Sequence, residues 1–421
     1  MNTITESIQR YFAEKLPLTL RNNTEDVGVE DDNPMGILIG LPYPYNVPTF
    51  APIFQEMAYW DTYFLNTGLI LSGGVQQAKN NVDCMRYMID KYGFVLNQNR
   101  TCCLYNSQPP FLAKMVKEIY EVTQDNAWLA EAYVSLKKEN DFWQNNRMTD
   151  CGLNRYCGDF DRMPAKQKAF YAQSMKERLG SDMGLTDEEL ARGLLSAGES
   201  GWDCNPRMFY ETYNYAAVEL NSLLYLQETC LAEFAEVLGY NQEAEKWRKQ
   251  ANDRAGLCRK FLRAENNIFY DYHLIKNTRQ KMASAACFFP LFCKLATQEE
   301  AAATVKLLDK IETDHGVVSC EESDIPCSFQ WGYPNGWSPI QRIVVEGLLN
   351  YGYVEDALRV ATKYANTLER CFAETGHMWE KYNIVTGTHE TTNEYEQLPM
   401  LGWNYGTYTY FYSVLKQWGV R

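Results

Sequence analysis

The chain has 421 residues, and its 40 basic and 54 acidic side chains give a formal net charge of −14 at pH 7. Such an acidic surface repels phosphate backbones and argues against general nucleic-acid binding. The chain is 46% hydrophobic and 22% charged, which is typical of a globular protein, and no apolar run reaches the roughly 18 residues of a membrane span.

The first residues and the cysteines indicate the compartment. Residues 1–22 carry charges throughout and lack an apolar stretch followed by small residues, so they do not resemble a signal peptide. The thirteen cysteines form no C-x-x-C pair, and only Cys102 and Cys103 are adjacent, which is typical of buried thiols in reducing surroundings. We therefore predict a cytoplasmic protein.

Hydrophobic periodicity predicts helices along nearly the whole chain. After Asn126, a predicted cap, Leu129, Ala132, Tyr133 and Leu136 recur at helical spacing. Similar patterns give about twelve or thirteen helices.

Local signals set several helix boundaries. Residues 186–189 and 297–300 are capping boxes that each begin a helix. Gly239 and Gly352 end helices, and Asn241 begins one.

The organisation is that of one large all-α domain, because no linker, low-complexity tract or charge block divides the chain. Strand signals are weak, and residues 36–40 are a minor hairpin or an extended segment. Twelve helices that alternate inward and outward would close as an (α/α)6 barrel. A solenoid or an open bundle is the alternative that periodicity leaves open.

Six segments interrupt the helical pattern and combine aromatic with polar residues. Glycoside hydrolysis needs one protonated and one ionised carboxyl group, and aromatic walls cover sugar faces and exclude water. A Trp beside an Asp is usually a core aromatic next to a solvated charge, but six such segments favour a carbohydrate-active enzyme. The segments are 47–64, 97–100 with 106–110, 199–207, 329–337, 379–383 and 393–395.

In these segments the sequence resembles the trehalases, glycoside hydrolase family 37, and their relatives the mannosylglycerate and glucosylglycerate hydrolases. Residues 330–339 are similar to the pattern Q-W-D-x-P-x-G-W-x-P, and residues 199–203 match E-S-G-W-D. Further matches keep the family order from residue 40 to residue 405. The resemblance implies a single (α/α)6 barrel of residues 36–421 after an N-terminal helical extension, residues 1–35.

The resemblance also implies an inverting glycosidase that cleaves a small α-glycoside such as trehalose or a related glucoside or mannoside. Asp203 falls on the family's general acid and Glu394 on its general base. An inverting pair stands about 6.5–9.5 Å apart to leave room for the attacking water. We therefore expect Asp203 and Glu394 to face each other across one pocket, with Glu380 as the alternative base.

A set of aromatic and polar residues in the same segments is predicted to bind the sugar. Asp61 is expected to bind hydroxyls of the reacting sugar, and Arg207 to orient the acid unless it forms a surface salt bridge. No metal or cofactor is expected, since the four histidines show no ligand spacing. The predicted substrate-binding residues are Trp60, Asp61, Asn99, Gln108, Trp202, Arg207, Gln330, Trp331, Asn335, Trp337 and Trp403.

Five positions depart from the family pattern, and Ala51 and Pro52 stand in place of its glycines. Ile53 and Asn106 stand where trehalases carry arginines, and Gly332 stands in place of an aspartate. Neither Ile nor Asn reproduces the five fixed donors of a guanidinium. The departures favour a relative that acts on a different glycoside.

Two other functions stay open. A non-catalytic sugar-binding protein would keep the pocket without turnover, although both carboxyls are retained. A sugar epimerase or lyase on such a barrel would usually rely on histidines, and all four lie outside the matched segments. The sequence does not indicate an oligomeric state.

Overall fold

The computed structural model describes residues 3–28, 34–325, 327, 329–391 and 397–421. Within these ranges the chain forms fifteen α-helices and nine strands of two or three residues. The helices are α1 (Thr3–Lys15), α2 (Tyr59–Leu71), α3 (Val75–Tyr92), α4 (Leu112–Thr123), α5 (Asn126–Asn146), α6 (Ala165–Leu179), α7 (Asp187–Ser200), α8 (Val218–Val237), α9 (Asn241–Phe261), α10 (Phe289–Phe292), α11 (Gln298–Val305), α12 (Leu308–Ile311), α13 (Ser338–Asn350), α14 (Val354–Thr375) and α15 (Gly402–Gln417). The strands are β1 (Leu20–Arg21), β2 (Tyr45–Asn46), β3 (Tyr215–Ala216), β4 (Asp271–His273), β5 (Thr278–Gln280), β6 (Glu312–Thr313), β7 (Gly316–Val317), β8 (Asn335–Gly336) and β9 (Tyr382–Asn383).

Six helices form a closed inner ring. Each of α2, α4, α8, α10, α13 and α15 packs against the next, and α15 returns to α2. The helices of this ring are apolar on most sides, and α2 buries eleven of its thirteen residues. Amphipathic helices such as α3, α5, α9 and α14 cover the ring from outside. This double ring is the predicted all-α (α/α)6 barrel.

Glycines allow α2 and α15 to close the ring. A Cβ on Gly406 would overlap the carbonyl oxygen of Phe64, and a Cβ on Gly68 would lie 2.5 Å from the Tyr405 ring. The Tyr405 hydroxyl donates to the Gly68 carbonyl oxygen at 2.9 Å. The backbones of α2 and α15 therefore lie closer together than a residue with a Cβ at position 68 or 406 would permit.

The predicted helix starts agree with the structure at two capping boxes and differ at one helix. Thr186 and Thr297 each accept a hydrogen bond from the amide of the glutamate three residues later. In α5 the cap is Asp125 rather than Asn126, and its carboxylate accepts from the Trp128 amide. A charged carboxylate interacts favourably with the positive end of the helix, which explains why the structure uses the aspartate.

Two further expectations concern the helix count and the segment 36–40. Thirteen of the described helices have eight residues or more, as expected, and α10 and α12 are single turns. Leu38 forms bridges to both Val27 and Arg100, so this segment runs extended between two neighbours. No helix in the described ranges is long and apolar enough to cross a bilayer.

The helices α6 and α7 are inserted between α5 and α8 and form a hairpin outside the two rings. They pack on each other, and α7 ends at Ser200, where the predicted catalytic segment 199–203 begins. The hairpin has its own apolar cluster. Its members are Phe160, Met163, Ala172, Met175, Leu179, Leu190, Ala191, Leu194, Leu195 and Cys204.

The expected division of the chain at residue 35 stays a prediction. Helix α1 lies against α14. It contributes Ile8, Tyr11 and Phe12 to the main apolar core.

Replacement of Gly406 by alanine should open the contact between α2 and α15. We expect Gly406→Ala to lower the free energy of unfolding by about 3 kcal/mol or more, because a buried backbone must shift. Gly256, inside α9, has open space where a Cβ would stand. Gly256→Ala should raise the same quantity by about 0.5–1 kcal/mol. Urea unfolding followed by circular dichroism measures both, and equal effects would contradict the close approach.

Candidate active site

A pocket lies at the N-terminal ends of the inner helices α2, α13 and α15. The space open to the centres of water molecules is about 130 Å³, about ten times what one water needs. The lining residues are Pro48, Phe54, Ala58, Trp60, Asp61, Asn97, Gln98, Gln108, Gly198, Gly201, Asp203, Gln330, Trp331, Trp337, Glu380, Met400 and Trp403.

The pocket brings together most, but not all, of the predicted site residues. Four of them do not line it, namely Asn99, Trp202, Arg207 and Asn335, and Glu394 lies outside the described residues. Eight of them line it, namely Trp60, Asp61, Gln108, Asp203, Gln330, Trp331, Trp337 and Trp403.

Asp61 is a buried carboxyl in the first turn of α2. Burial raises the pKa of Asp61 to about 7, and the carboxyls of Glu380 and Asp203 add to the shift. Three carboxyl groups from distant parts of the chain therefore share one small pocket, and one of them keeps its proton up to near-neutral pH.

Glu380 is held by a buried ion pair with the next residue. The Lys381 ammonium lies 2.9 Å from a carboxylate oxygen of Glu380, and both side chains are buried. The same ammonium lies 5.0 Å from the centre of a Trp337 ring. The ion pair therefore places the Glu380 carboxylate, whose charge Lys381 balances, next to the aromatic wall.

Asp203 lies at the mouth of the pocket. Its Oδ2 atom is 3.3 Å from Nη1 of Arg178, and the two side chains are 34% and 25% exposed. The chain reaches Asp203 through Gly201, which has a φ of +70°. A Cβ on Gly201 would lie 2.9 Å from the Trp60 indole. The glycine thus lets the acidic segment pass directly over the tryptophan.

The tryptophans form one continuous aromatic cluster. Trp331 and Trp337 stack in parallel, with ring centres 3.9 Å apart. The ring centre of Trp60 lies 5.4 Å and that of Trp202 lies 5.3 Å from the Trp331 ring. Trp403 meets Trp337 edge-on at 5.5 Å. Trp202 therefore supports the wall from behind, whereas the other four line the pocket.

The turn that carries Trp331 and Trp337 is fixed by a backbone carbonyl. The indole N–H of Trp337 and the side-chain amide of Asn335 both donate to the carbonyl oxygen of Gln330, each at 3.0 Å. Asn335 therefore orients the aromatic wall from outside the pocket.

Asn99 and Arg207 are also buried, at 0% and 1% exposure. Asn99 accepts from the Met57 amide at 2.7 Å. Arg207 donates to Glu219 at 3.0 Å and to Asp271 at 2.7 Å. The contacts of Arg207 form a buried ion cluster rather than the surface salt bridge weighed from the sequence.

Glu199 has a structural role that sequence reasoning missed. Its carboxylate is fully buried and accepts from Arg147 at 2.8 Å and from the amides of Ser107, Cys157 and Gly158 at 3.0, 2.8 and 2.9 Å. Burial alone would raise the pKa of Glu199, but the Arg147 guanidinium and these hydrogen bonds hold it below its ordinary value. Glu199 is the glutamate of the E-S-G-W-D match, and this match was the sequence signal that could have identified it.

Asn97 also has a structural role that was not predicted from the sequence. Its side-chain amide donates to the Ser107 carbonyl at 3.1 Å and to the Gly198 carbonyl at 2.8 Å. It thereby joins the loop of Gln108 to the last turn of α7, which leads to Asp203.

In the described part of the chain, no group of three or more His, Cys, Asp or Glu residues is arranged to hold a metal ion. The expectation that no metal or cofactor takes part stays a prediction.

A closed double ring of helices with a carboxyl- and tryptophan-lined pocket at one end defines the class of (α/α)6-barrel glycoside hydrolases. The match to a family model specifies the family. Residues 5–416 match the model described as Trehalase. The chain belongs to the trehalase family and is a glycoside hydrolase that acts on a sugar.

Individual relatives agree with this assignment. A periplasmic trehalase of Escherichia coli O1:K1 is 30% identical over 394 residues, which cover 88% of this chain and 68% of the relative. Neutral trehalase Nth1 from Saccharomyces cerevisiae superposes with a TM-score of 0.76 at 26% identity and covers 89% of this chain and 74% of its own. A mannosylglycerate hydrolase from Thermus thermophilus shares the fold, with a TM-score of 0.63 at 17% identity, over 88% of this chain and 96% of its own.

The prediction of a cytoplasmic protein is wrong. The curated relatives from Escherichia coli and Salmonella are named periplasmic trehalases, which contradicts it. All thirteen cysteines are indeed free thiols, but ten of them are buried. Burial protects a thiol from oxidation in any compartment, so thiol usage is a poor guide to location.

The buried Asp61 should make the stability of the fold depend on pH. Its pKa is about 7 in the fold against 3.8 for an ordinary aspartate. Between pH 4 and 7 the unfolded chain loses a proton that the folded chain keeps, so the free energy of unfolding falls as pH rises and levels off above 7. Relative to Asp61→Asn, the loss amounts to up to about 4 kcal/mol, at about 1.4 kcal/mol per pH unit.

Urea unfolding of both proteins at several pH values measures this difference. Asp161→Asn is the matched control, since the Asp161 side chain is 85% exposed, and it should follow the parent protein. Parallel curves for the parent and Asp61→Asn would show that Asp61 is already ionised in the folded state.

Proposed function

We propose that the protein hydrolyses trehalose or a closely related small α-glucoside with inversion at the anomeric carbon, with Asp203 as general acid and Glu394 as general base. The observation that supports this most is that Asp203 shares one tryptophan-lined pocket with Asp61 and Glu380. The relatives named trehalases support trehalose as the first substrate to test.

The reacting sugar enters with one face against the tryptophan cluster. Aromatic faces bind the apolar faces of sugars, and the tight walls exclude water from the carboxyls. Asp61, at the closed end of the pocket, accepts hydrogen bonds from ring hydroxyls, and Gln108 and Gln330 bind others. These contacts position the anomeric carbon near Asp203.

The chemistry then needs one proton donor and one proton acceptor. Asp203 transfers its proton to the glycosidic oxygen as the bond between that oxygen and the anomeric carbon breaks. Glu394 takes a proton from a water molecule whose oxygen forms a new bond to the anomeric carbon from the opposite face. The product therefore leaves with the inverted configuration.

Glu380 is a weaker candidate for the base. One of its carboxylate oxygens lies 2.9 Å from the Lys381 ammonium, so the ion pair already occupies that oxygen. We assign Glu380 to the binding surface, where its charge is compensated.

The proposal is tested with a panel of trehalose, other small α-glucosides and α-mannosides. With trehalose, proton NMR at early times should show α- and β-glucose in equal amounts, because the attacked glucose is inverted and the leaving glucose keeps its α-configuration. With another α-glycoside, the sugar that is attacked should appear first as the β-anomer. Early release of only α-glucose from trehalose would contradict an inverting mechanism, and no hydrolysis of any member would contradict the proposed function.

Removal of either catalytic carboxyl should abolish most of the activity. We expect Asp203→Asn and Glu394→Gln each to lower kcat at least about a hundredfold, because general acid or base catalysis contributes that much. The acidic limb of the kcat/KM profile, which reports ionisation of the base, should disappear in Glu394→Gln and remain in Glu380→Gln.

The controls are Asp161→Asn and Glu374→Gln, which change exposed carboxyls and should leave kcat unaltered. If Glu380→Gln rather than Glu394→Gln loses the acidic limb, the roles of the two glutamates are reversed.

A further inference from the structure

Arg178 is a cation at the mouth of the pocket that the sequence patterns did not identify. It lies in the last turn of α6, and its Nη1 atom is 3.3 Å from Oδ2 of Asp203. Its side chain is 25% exposed, so solvent reaches the arginine beside the acid.

The described lining of the pocket contains carboxyls, amides and aromatic rings, but neither Lys nor Arg. Two cations of the described residues pair with carboxyls of this lining. Lys381 pairs with Glu380 in the buried wall, and Arg178 pairs with Asp203, whose side chain is 34% exposed. Of these two cations, Arg178 is the one that solvent reaches.

The family positions that carry charge elsewhere cannot supply it here. Ile53 and Asn106, which stand in place of arginines, have no charge. The guanidinium beside Asp203 comes instead from α6.

Helix α6 holds Arg178 in a fixed place. The neighbouring Leu179 and Met175 are buried in the apolar cluster of the α6–α7 hairpin, and the helix ends at Gly180, which has a φ of +75°. Because α7 leads directly into the segment of Asp203, the hairpin connects the arginine and the acid through one packed unit.

The position of Arg178 next to Asp203 indicates which part of a bound substrate it would contact. A general acid must touch the glycosidic oxygen, so the leaving group lies on the acid's side of the pocket. Asp61 and the tryptophans are buried, whereas Asp203 and Arg178 are partly exposed. A leaving group that extends from Asp203 towards the solvent would therefore pass close to Arg178. A guanidinium carries five donors in a planar fork and binds a carboxylate and a hydroxyl at once.

We propose that Arg178 is a specificity-determining residue that hydrogen-bonds the hydroxyls of the leaving group. The proposal rests on the proposed function, because it assumes that Asp203 protonates the leaving oxygen. It predicts that the arginine matters for leaving groups that carry hydroxyls and matters little for those that carry none.

Two substrates separate these cases. The first is trehalose, or whichever glycoside of the panel the protein cleaves fastest. The second is methyl or benzyl α-D-glucoside, whichever is cleaved faster, whose leaving alcohol needs the same proton from Asp203 but carries no further hydroxyl. Arg178→Gln should lower kcat/KM for the first substrate about 10–100-fold, the range expected for loss of a charged hydrogen bond, and lower it less than about threefold for the second. Arg178→Lys should give an intermediate loss, because it keeps the charge without the fork.

Arg192→Gln is the matched control. Arg192 lies in the same hairpin and pairs with Glu188 at 2.8 Å and with Asp161 at 3.1 Å, away from the pocket lining. It should leave both substrates unaffected, and the thermal unfolding midpoints of all three variants identify any general loss of fold.

Equal losses on both substrates in Arg178→Gln and Arg178→Lys, or no loss on either, would overturn the role of Arg178 while the proposed function stands. A parent protein that cleaves no glycoside of the panel would overturn the proposed function and this inference together.

Discussion

The buried ion pair of Glu199 and Arg147 is the constraint on which the pocket depends. Both side chains are almost fully excluded from solvent, and the carboxylate also accepts three backbone amides from the loops at 107 and 157–158. An unpaired charge at this depth would cost several kcal/mol. The end of α5, the end of α7 and two loops are therefore held in one arrangement, and the segment of Asp203 begins immediately after it.

The closed ring and this pair have complementary roles. Ring closure through α2 and α15 brings Trp60 and Asp61 next to Trp403, although these residues are far apart in sequence. The ion pair of Glu199 and Arg147 then fixes the position of the segment that carries Asp203 relative to these residues. Of the three carboxyls, Asp61 lies in the first turn of α2, where the helix dipole favours negative charge. One rigid scaffold thus holds three carboxyls in one pocket against their mutual repulsion.

Local patterns predicted the helices, their capping boxes and the loops of the site, because these depend on neighbouring residues. The family resemblance identified Asp203 and most of the predicted residues that line the pocket. The rest depends on tertiary contacts: Asn335 turns its amide to a backbone carbonyl, and Arg207 is buried between Glu219 and Asp271. Arg178 lies in the charged run Lys176-Glu177-Arg178, which is indistinguishable in sequence from a solvated helix face, and only the hairpin brings it to Asp203, 25 positions later.

The parallel indoles of Trp331 and Trp337, with ring centres 3.9 Å apart, also have an optical consequence. Rings at such separations share electronic excitation, and Trp60, Trp202 and Trp403 lie close enough to take part. These five are half of the ten tryptophans of the chain, so chromophores that border the pocket contribute strongly to its near-ultraviolet dichroism and emission. Occupancy of the pocket can be followed by light alone, without a label or a coupled assay.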